Sequence, residues 1–324
     1  DTLRRQRQMC IRDSPYGFRM ELGLTTFAEI WDSDTASLSE RASIRLNQVV
    51  EEAVLADEIG LSVYAVGEHH RPDFAASAPS VILATIAGRT QQIRLAPAVT
   101  VLSSDDPVRV YQQFATLDLL SDGRAEMLVG RGSFIESFPL FGYSLEDYEE
   151  LFAEKLDLLI DIRDNERVTW SGNHRAPLAD AGVYPRSQQD PLPIWVGVGG
   201  TPQSAIRAGQ RGLPMALAII GGIPDRFAVF SQLHQRAATE AGYEPGSIPV
   251  AVHAHGHIAP TREQAIEEFW PSYRQAMTRI GRERGWGPMT FEQFEAMISP
   301  EGSLVLGTPD EVADKITRWG EVLG

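Results

Sequence analysis

The sequence predicts an α/β chain folded as a (β/α)8 TIM barrel, and three observations carry that reading. Seven short apolar runs alternate with amphipathic stretches of helical period, the pattern of successive βα units. Composition does not break along the 324 residues, and barrels of this length are commonly one domain. A cluster of titratable residues, Glu68-His69-His70, ends one apolar run, at the edge where parallel α/β proteins build their sites.

Residues 1–19 hold Arg4, Arg5, Arg7, Arg12 and Arg19 without an apolar run, so they are not a secretory signal. They read as a non-native or disordered leader, with the barrel domain spanning 20–324 from Met20. Glu21 to Thr25 is predicted as the first strand, and Arg41 to Ile59 as an amphipathic helix closed by Gly60. Val63 to Val66 is the second strand, followed by a helix over Pro79 to Thr90 and a third strand over Ile93 to Leu102. Asp105-Asp106-Pro107 marks a helix start, with an acidic cap and proline in the first turn. Ala125 to Val129 is the fourth strand and Leu145 to Ile162 a long helix; Arg163 to Pro191 is a polar excursion.

Ile194 to Val198 is the fifth strand, entering a helix that ends at Gly209. Met215 to Ile220 is the sixth, with a helix over Asp225 to Ala241. Val250 to Ile258 is the seventh, and Thr261-x-x-Gln264 is a capping box for the helix after it. Gly285 to Ser303 reads as an insertion before a helix that starts at Thr308-Pro309-Asp310 and runs to about Gly320. The eighth strand is missing from this pattern, so the expectation is a barrel truncated before that strand, with an open seam of unpaired backbone.

A net charge of −15 argues against a nucleic-acid partner, since a phosphate backbone is repelled. No run of 18 apolar residues is present, which argues against a membrane span. Cys10 is the single cysteine, so no internal disulfide forms, in keeping with a reducing cytoplasm.

His69 and His70 are either hydrogen-bonded loop residues or participants in chemistry. Gly199-Gly200-Thr201-Pro202-Gln203-Ser204 joins a strand to a helix. Its glycines allow backbone amides close to an anion, the helix start adds positive potential, and Thr201 and Ser204 add hydroxyls. An ordinary βα turn capped by Thr201 is the alternative. Arg131, between Gly130 and Gly132, offers a fork suited to phosphate, or else forms a surface ion pair. His253, His255 and His257 alternate along the seventh strand and so face one side. That pattern allows a metal-dependent hydrolase, but the strand carries no carboxylate, so hydrogen-bonded histidines are the competing reading and no metal site is assigned.

Asp106-Pro107-Val108-Arg109, Leu117-Asp118-Leu119-Leu120-Ser121-Asp122-Gly123-Arg124 and Gly130-Arg131-Gly132, with Glu68-His69-His70, Arg211 to Met215 and Gly307-Thr308-Pro309, stand in one order. In that order they resemble the bacterial luciferase-like flavin monooxygenases, closest to the FMN-dependent luciferase-like group, over about Met20 to Gly324. The resemblance implies a TIM barrel that holds reduced FMN, delivered by a separate NAD(P)H-dependent reductase, and uses O2 to oxygenate a small organic substrate. By position, His69 matches the active-site histidine and Glu68 a flavin contact, while Arg131, Thr201 and Ser204 match phosphate contacts beside Gly199 and Gly200. Ala98-Val99 matches the pair against the isoalloxazine that can be joined by a non-proline cis peptide.

Relatives pair through early barrel helices, which implies a homodimer. Three departures stand out: Gly200 replaces an acidic residue, Glu149 replaces a second phosphate-binding arginine, and Gly130 replaces a reactive cysteine. Light emission does not follow. The alternatives are a deazaflavin-dependent hydride-transfer enzyme on the same fold, the metal-dependent hydrolase, and a flavin-binding protein without turnover.

Overall fold

In the computed structural model of the chain, residues 20–32, 35–132 and 134–323 are described. The leader and Cys10 lie outside them. The chain falls into two compact units, one ending at Gly197 and the other starting at Val198.

The first unit carries strands β1 (Gly23–Thr26), β2 (Val63–Val66) and β3 (Arg94–Pro97), parallel in that order. Strands β4 (Thr100–Val101), β5 (Met127–Gly130) and β8 (Ile194–Val198) form a second parallel ladder. The two ladders meet at Leu95, whose N–H donates to the Arg124 carbonyl while its own carbonyl accepts from Glu126. Helix α1 (Leu38–Glu58) starts ahead of the predicted Arg41, because Ser37 and Glu40 form a capping box. It buries Val49, Val50, Ala53 and Ala56. Helix α2 (Pro79–Ala87) ends short of the predicted Thr90. Helix α3 (Pro107–Leu120) begins at Asp106 as predicted, the carboxylate accepting from Val108 N at 2.9 Å. A five-residue helix α4 (Ser137–Phe141) precedes α5 (Tyr148–Asp164).

Two predictions for this unit need correction. The third strand is interrupted, because the Ala98–Val99 peptide is cis and separates β3 from β4. The polar excursion is ordered: β6 (Arg167–Trp170) and β7 (Leu178–Gly182) make an antiparallel hairpin. Its turn is tied to α5 by Glu154, whose carboxylate accepts from Asn173 N at 2.7 Å and His174 N at 2.9 Å. The charged residues of the Leu117–Arg124 motif are structural. Asp118 is buried and accepts from the Gln189 amide N–H at 2.8 Å, and Arg124 donates to the Ser121, Ile93 and Ala87 carbonyls.

In the second unit, α6 (Pro202–Gln210) packs on α7 (Ala228–Glu240) so closely that a Cβ on Gly209 would lie 2.3 Å from the His234 carbonyl. Strands β9 (Met215–Ala218) and β10 (Val250–His253) are parallel. The predicted seventh strand is divided. Its second part, β11 (Gly256–Ile258), takes a different partner, β12 (Val305–Gly307). Helix α8 (Arg262–Arg284) is capped by Thr261, which accepts from Gln264 N, but the Gln264 side chain bonds Glu268 and does not close the predicted box. The supposed insertion holds a helix, α9 (Phe291–Ile298), opened by a Thr290/Gln293 capping box. It places Phe294 and Ile298 in a core with Ala265, Tyr273, Leu304 and Leu306. The last described element is α10 (Pro309–Leu323). Among the described residues no helix is long and apolar enough to cross a membrane.

Candidate active site

At the end of β2 the chain passes beneath Phe27. A Cβ on Gly67 would meet the Phe27 ring at 2.1 Å and the Ala98 carbonyl at 3.0 Å, so only glycine fits. His69 follows, its N–H donating to the Ala76 carbonyl at 2.9 Å. The imidazole lies among Phe27, Phe74 and Phe134, with ring centroids 4.9, 4.5 and 4.8 Å away. With His69 only 8% exposed, desolvation and then the nearby Arg71 charge lower its pKa to about 4, against the opposing pull of Asp73. The ring is therefore neutral at pH 7, able to donate from one nitrogen and accept at the other.

Its two neighbours behave differently. Glu68 places Oε1 2.8 Å from His70 Nε2, and Oε2 accepts from Val101 N at 3.0 Å. The hydrogen bond to Glu68 raises the His70 pKa, against desolvation, and the ring packs edge-on to Phe141. Glu68 thus holds Val101, just after the cis Ala98–Val99 peptide, in place.

Val99 sits against β5 and β8. A Cβ on Gly130 or on Gly197 would lie 2.8 Å from one or other Val99 methyl. Val101 similarly blocks a Cβ on Gly132, at 2.9 Å. Between Gly130 and Gly132 stands Arg131, which lies over the Tyr148 ring at 5.1 Å and pairs with Glu149. Tyr148 Oη donates to the Gly132 carbonyl at 2.8 Å.

In the second unit, the entry to α6 has the opposite character. A Cβ on Gly199 or Gly200 would meet nothing within 4 Å, and Gly200 has φ +134. Thr201 occupies the cap position without a side-chain capping bond. Ser204 is buried, and among the described residues its Oγ has no hydrogen-bond partner. Open space at two glycines and an orphaned hydroxyl at a helix start fit an anionic group such as a phosphate.

The three alternating histidines do not share one environment, because the strand breaks after His253. His253 and His255 are held neutral by desolvation. His255 packs on Tyr273, and His257 bonds Glu268 at 2.7 Å. Among the described residues the one group of ligand atoms within 4.8 Å of one another is Asp147, Glu150 and His174, which includes none of them. Glu150 is largely exposed, and nothing else marks an ion there.

Sequence reasoning missed Lys155. It is buried on α5, donates to the Ser103 carbonyl at 2.7 Å and lies 3.8 Å from the Tyr143 ring centroid. Burial lowers its pKa to about 8, against the charges of Asp105 and Asp106. The signal was a lysine inside the apolar stripe of Leu151, Phe152, Leu156 and Leu159.

Comparison with known proteins gives the family. The family model for luciferase-like monooxygenases matches residues 20–324. N-acetyl-S-alkylcysteine monooxygenase of Bacillus subtilis is 30% identical over 310 residues, covering 89% of this chain and 87% of that protein. Two solved structures share the fold at TM-score 0.73. One is the oxygenating constituent of 3,6-diketocamphane monooxygenase of Pseudomonas putida with FMN, 20% identical, covering 94% of this chain and 89% of that one. The other is an F420-dependent secondary alcohol dehydrogenase with an F420–acetone adduct, 18% identical, covering 93% and 90%. The fold is α/β of the TIM-barrel class, the relatives are oxidoreductases, and the chain belongs to the luciferase-like monooxygenase family.

Proposed function

We propose that the chain is a monooxygenase that uses reduced FMN and O2 to oxygenate a small apolar or carbonyl-containing molecule. The observation that carries this reading is His69: a neutral, buried imidazole at a strand's C-terminal end, walled by three phenylalanines, in a chain of this family. Reduced FMN, when bound, supplies the electrons that activate O2. The chain's own residues supply a dry wall, a proton donor and acceptor at His69, and holding groups for the cofactor.

The fit rests on two features. Val99 is fixed against Gly130 and Gly197, giving the cis Ala98–Val99 pair a rigid backing for a flat ring system. The Gly199–Ser204 turn has open space beside its two glycines and, among the described residues, no partner for the Ser204 hydroxyl. Ala98 and Val99 then contact the ring system and Glu68 orders the segment carrying them; Arg131 in the first unit and, taken by themselves, Gly199, Gly200, Thr201 and Ser204 in the second are each suited to holding phosphate. Reduced FMN comes from a separate reductase in the cytoplasm. Leu55 and Ile59, at the end of α1, and Val81 of α2 are exposed apolar residues suited to a homodimer interface.

The second reading, hydride transfer with F420, is favoured by the fold shared with an F420-dependent dehydrogenase. Parallel assays on an aldehyde, ketone, thioether and alkane panel decide. Oxygen uptake matched to product with reduced FMN is the expected result. Anaerobic product formation with reduced F420, and none with FMN and O2, overturns the reading.

A further inference from the structure

Arg131 is held in a way that separates it from its counterion. Gly130 and Gly132 on either side are pinned by Val99 and Val101, which leave no room for a Cβ at either position. The guanidinium lies over Tyr148, whose hydroxyl bonds the backbone of Gly132. The Arg131 side chain is 13% exposed, whereas its partner Glu149 is 53% exposed. The cation is therefore fixed, and the carboxylate is the member that can turn away into water. An incoming phosphate keeps the half-buried guanidinium paired, so the exchange leaves no uncompensated cation behind. A carboxylate that stays repels a phosphate dianion at the same guanidinium. Glu150 lies next to it in the first turn of α5, with Glu146 and Asp147 just before, and this adds to the negative field.

We infer that Glu149 is a resident competitor for the Arg131 anion site, occupying the guanidinium that a cofactor phosphate must take over. It thereby suppresses the contribution of that phosphate to flavin affinity, which suits a cofactor that enters and leaves as a diffusible cosubstrate. The inference rests on the flavin reading above and adds to it a residue that sets how strongly the phosphate is held.

The test compares oxidised FMN with riboflavin, which lacks the phosphate, by fluorescence titration of the full chain. In E149Q the ratio of riboflavin Kd to FMN Kd should rise about fivefold or more over wild type, the scale of one charge-assisted hydrogen bond to the phosphate. The riboflavin Kd itself should stay within about twofold. In the R131A/E149Q double variant that rise should vanish, because no guanidinium remains to be released. An unchanged or smaller ratio in E149Q, with riboflavin still bound, overturns the inference alone and makes Glu149 a scaffold for Arg131. Failure of wild type and variants to bind either flavin, oxidised or reduced under anaerobic conditions, overturns the flavin reading, and the inference with it.

Discussion

The end of β2 and the entry to α6 answer different physical demands. Around β2 the space is filled: Gly67, Gly130 and Gly197 each lack room for a methyl group, and both Glu68 oxygens have protein partners. At α6 the space is open: among the described residues a Cβ on Gly199 or Gly200 would meet nothing within 4 Å, and Ser204 Oγ has no partner. A packed region fixes geometry before a ligand arrives, whereas an unsatisfied one leaves its hydrogen bonds for the ligand to complete. The lesson is that glycine means opposite things at the two places. In the first it admits protein, and in the second it leaves room for something else.

Substitutions sharpen this contrast. The largest effect is expected for His69 in acid. Its pKa of about 4 lies below the ordinary histidine value, so the unfolded chain takes up the proton first as pH falls. Stability that is fully present above about pH 6.5 is lost as pH drops toward 4, by about 3 kcal/mol in total. Denaturant titrations at stepped pH should show that loss in wild type and a flattened acid limb in His69→Phe. Equal limbs would mean that the imidazole is not desolvated.

Next comes Glu68→Ala, which leaves the Val101 N–H and His70 without their acceptor. A cost of about 2–3 kcal/mol at neutral pH is expected, read from the denaturation midpoint. Glu68→Gln, which keeps one acceptor oxygen, should fall between that variant and wild type. The smallest effects test the two kinds of glycine directly. Gly130→Ala forces a methyl against Val99 and should cost about 1–3 kcal/mol. Gly199→Ala should lie within about 0.5 kcal/mol of wild type. Equal costs at the two positions would erase the distinction between a filled and an open region.

Much of the fold was legible because apolar periodicity and caps are local. Val63–Val66 and Ile194–Val198 match their predicted bounds, and Asp106 and Thr261 cap the helices they were expected to cap. What was not legible depends on distant partners. The third strand breaks where Val99 meets Gly130 and Gly197, residues far along the chain. The seventh breaks because its two parts pair with different strands. The β6–β7 hairpin is mostly solvated, so it shows no apolar alternation, and Glu154 rather than burial anchors its turn. Helix α9 was legible in principle, since Thr290-x-x-Gln293 repeats the box already recognised at Thr261.

At the site, motif position marked His69 and Arg131, but only side-chain geometry could show that one is neutral among phenylalanines and the other paired with Glu149. The sequence also could not show that both Glu68 oxygens have partners within the chain, at His70 and Val101 N.

The central claim is that a neutral His69 handles protons beside a bound flavin without holding the flavin itself. His69→Ala, assayed with the reduced flavin that supports wild-type turnover, tests this most directly when product yield and flavin Kd are measured on the same preparation. The account predicts that product yield falls by about 10²-fold or more, the scale of a lost general acid–base, while the Kd stays within about threefold. Wild-type product yield in this variant would contradict it.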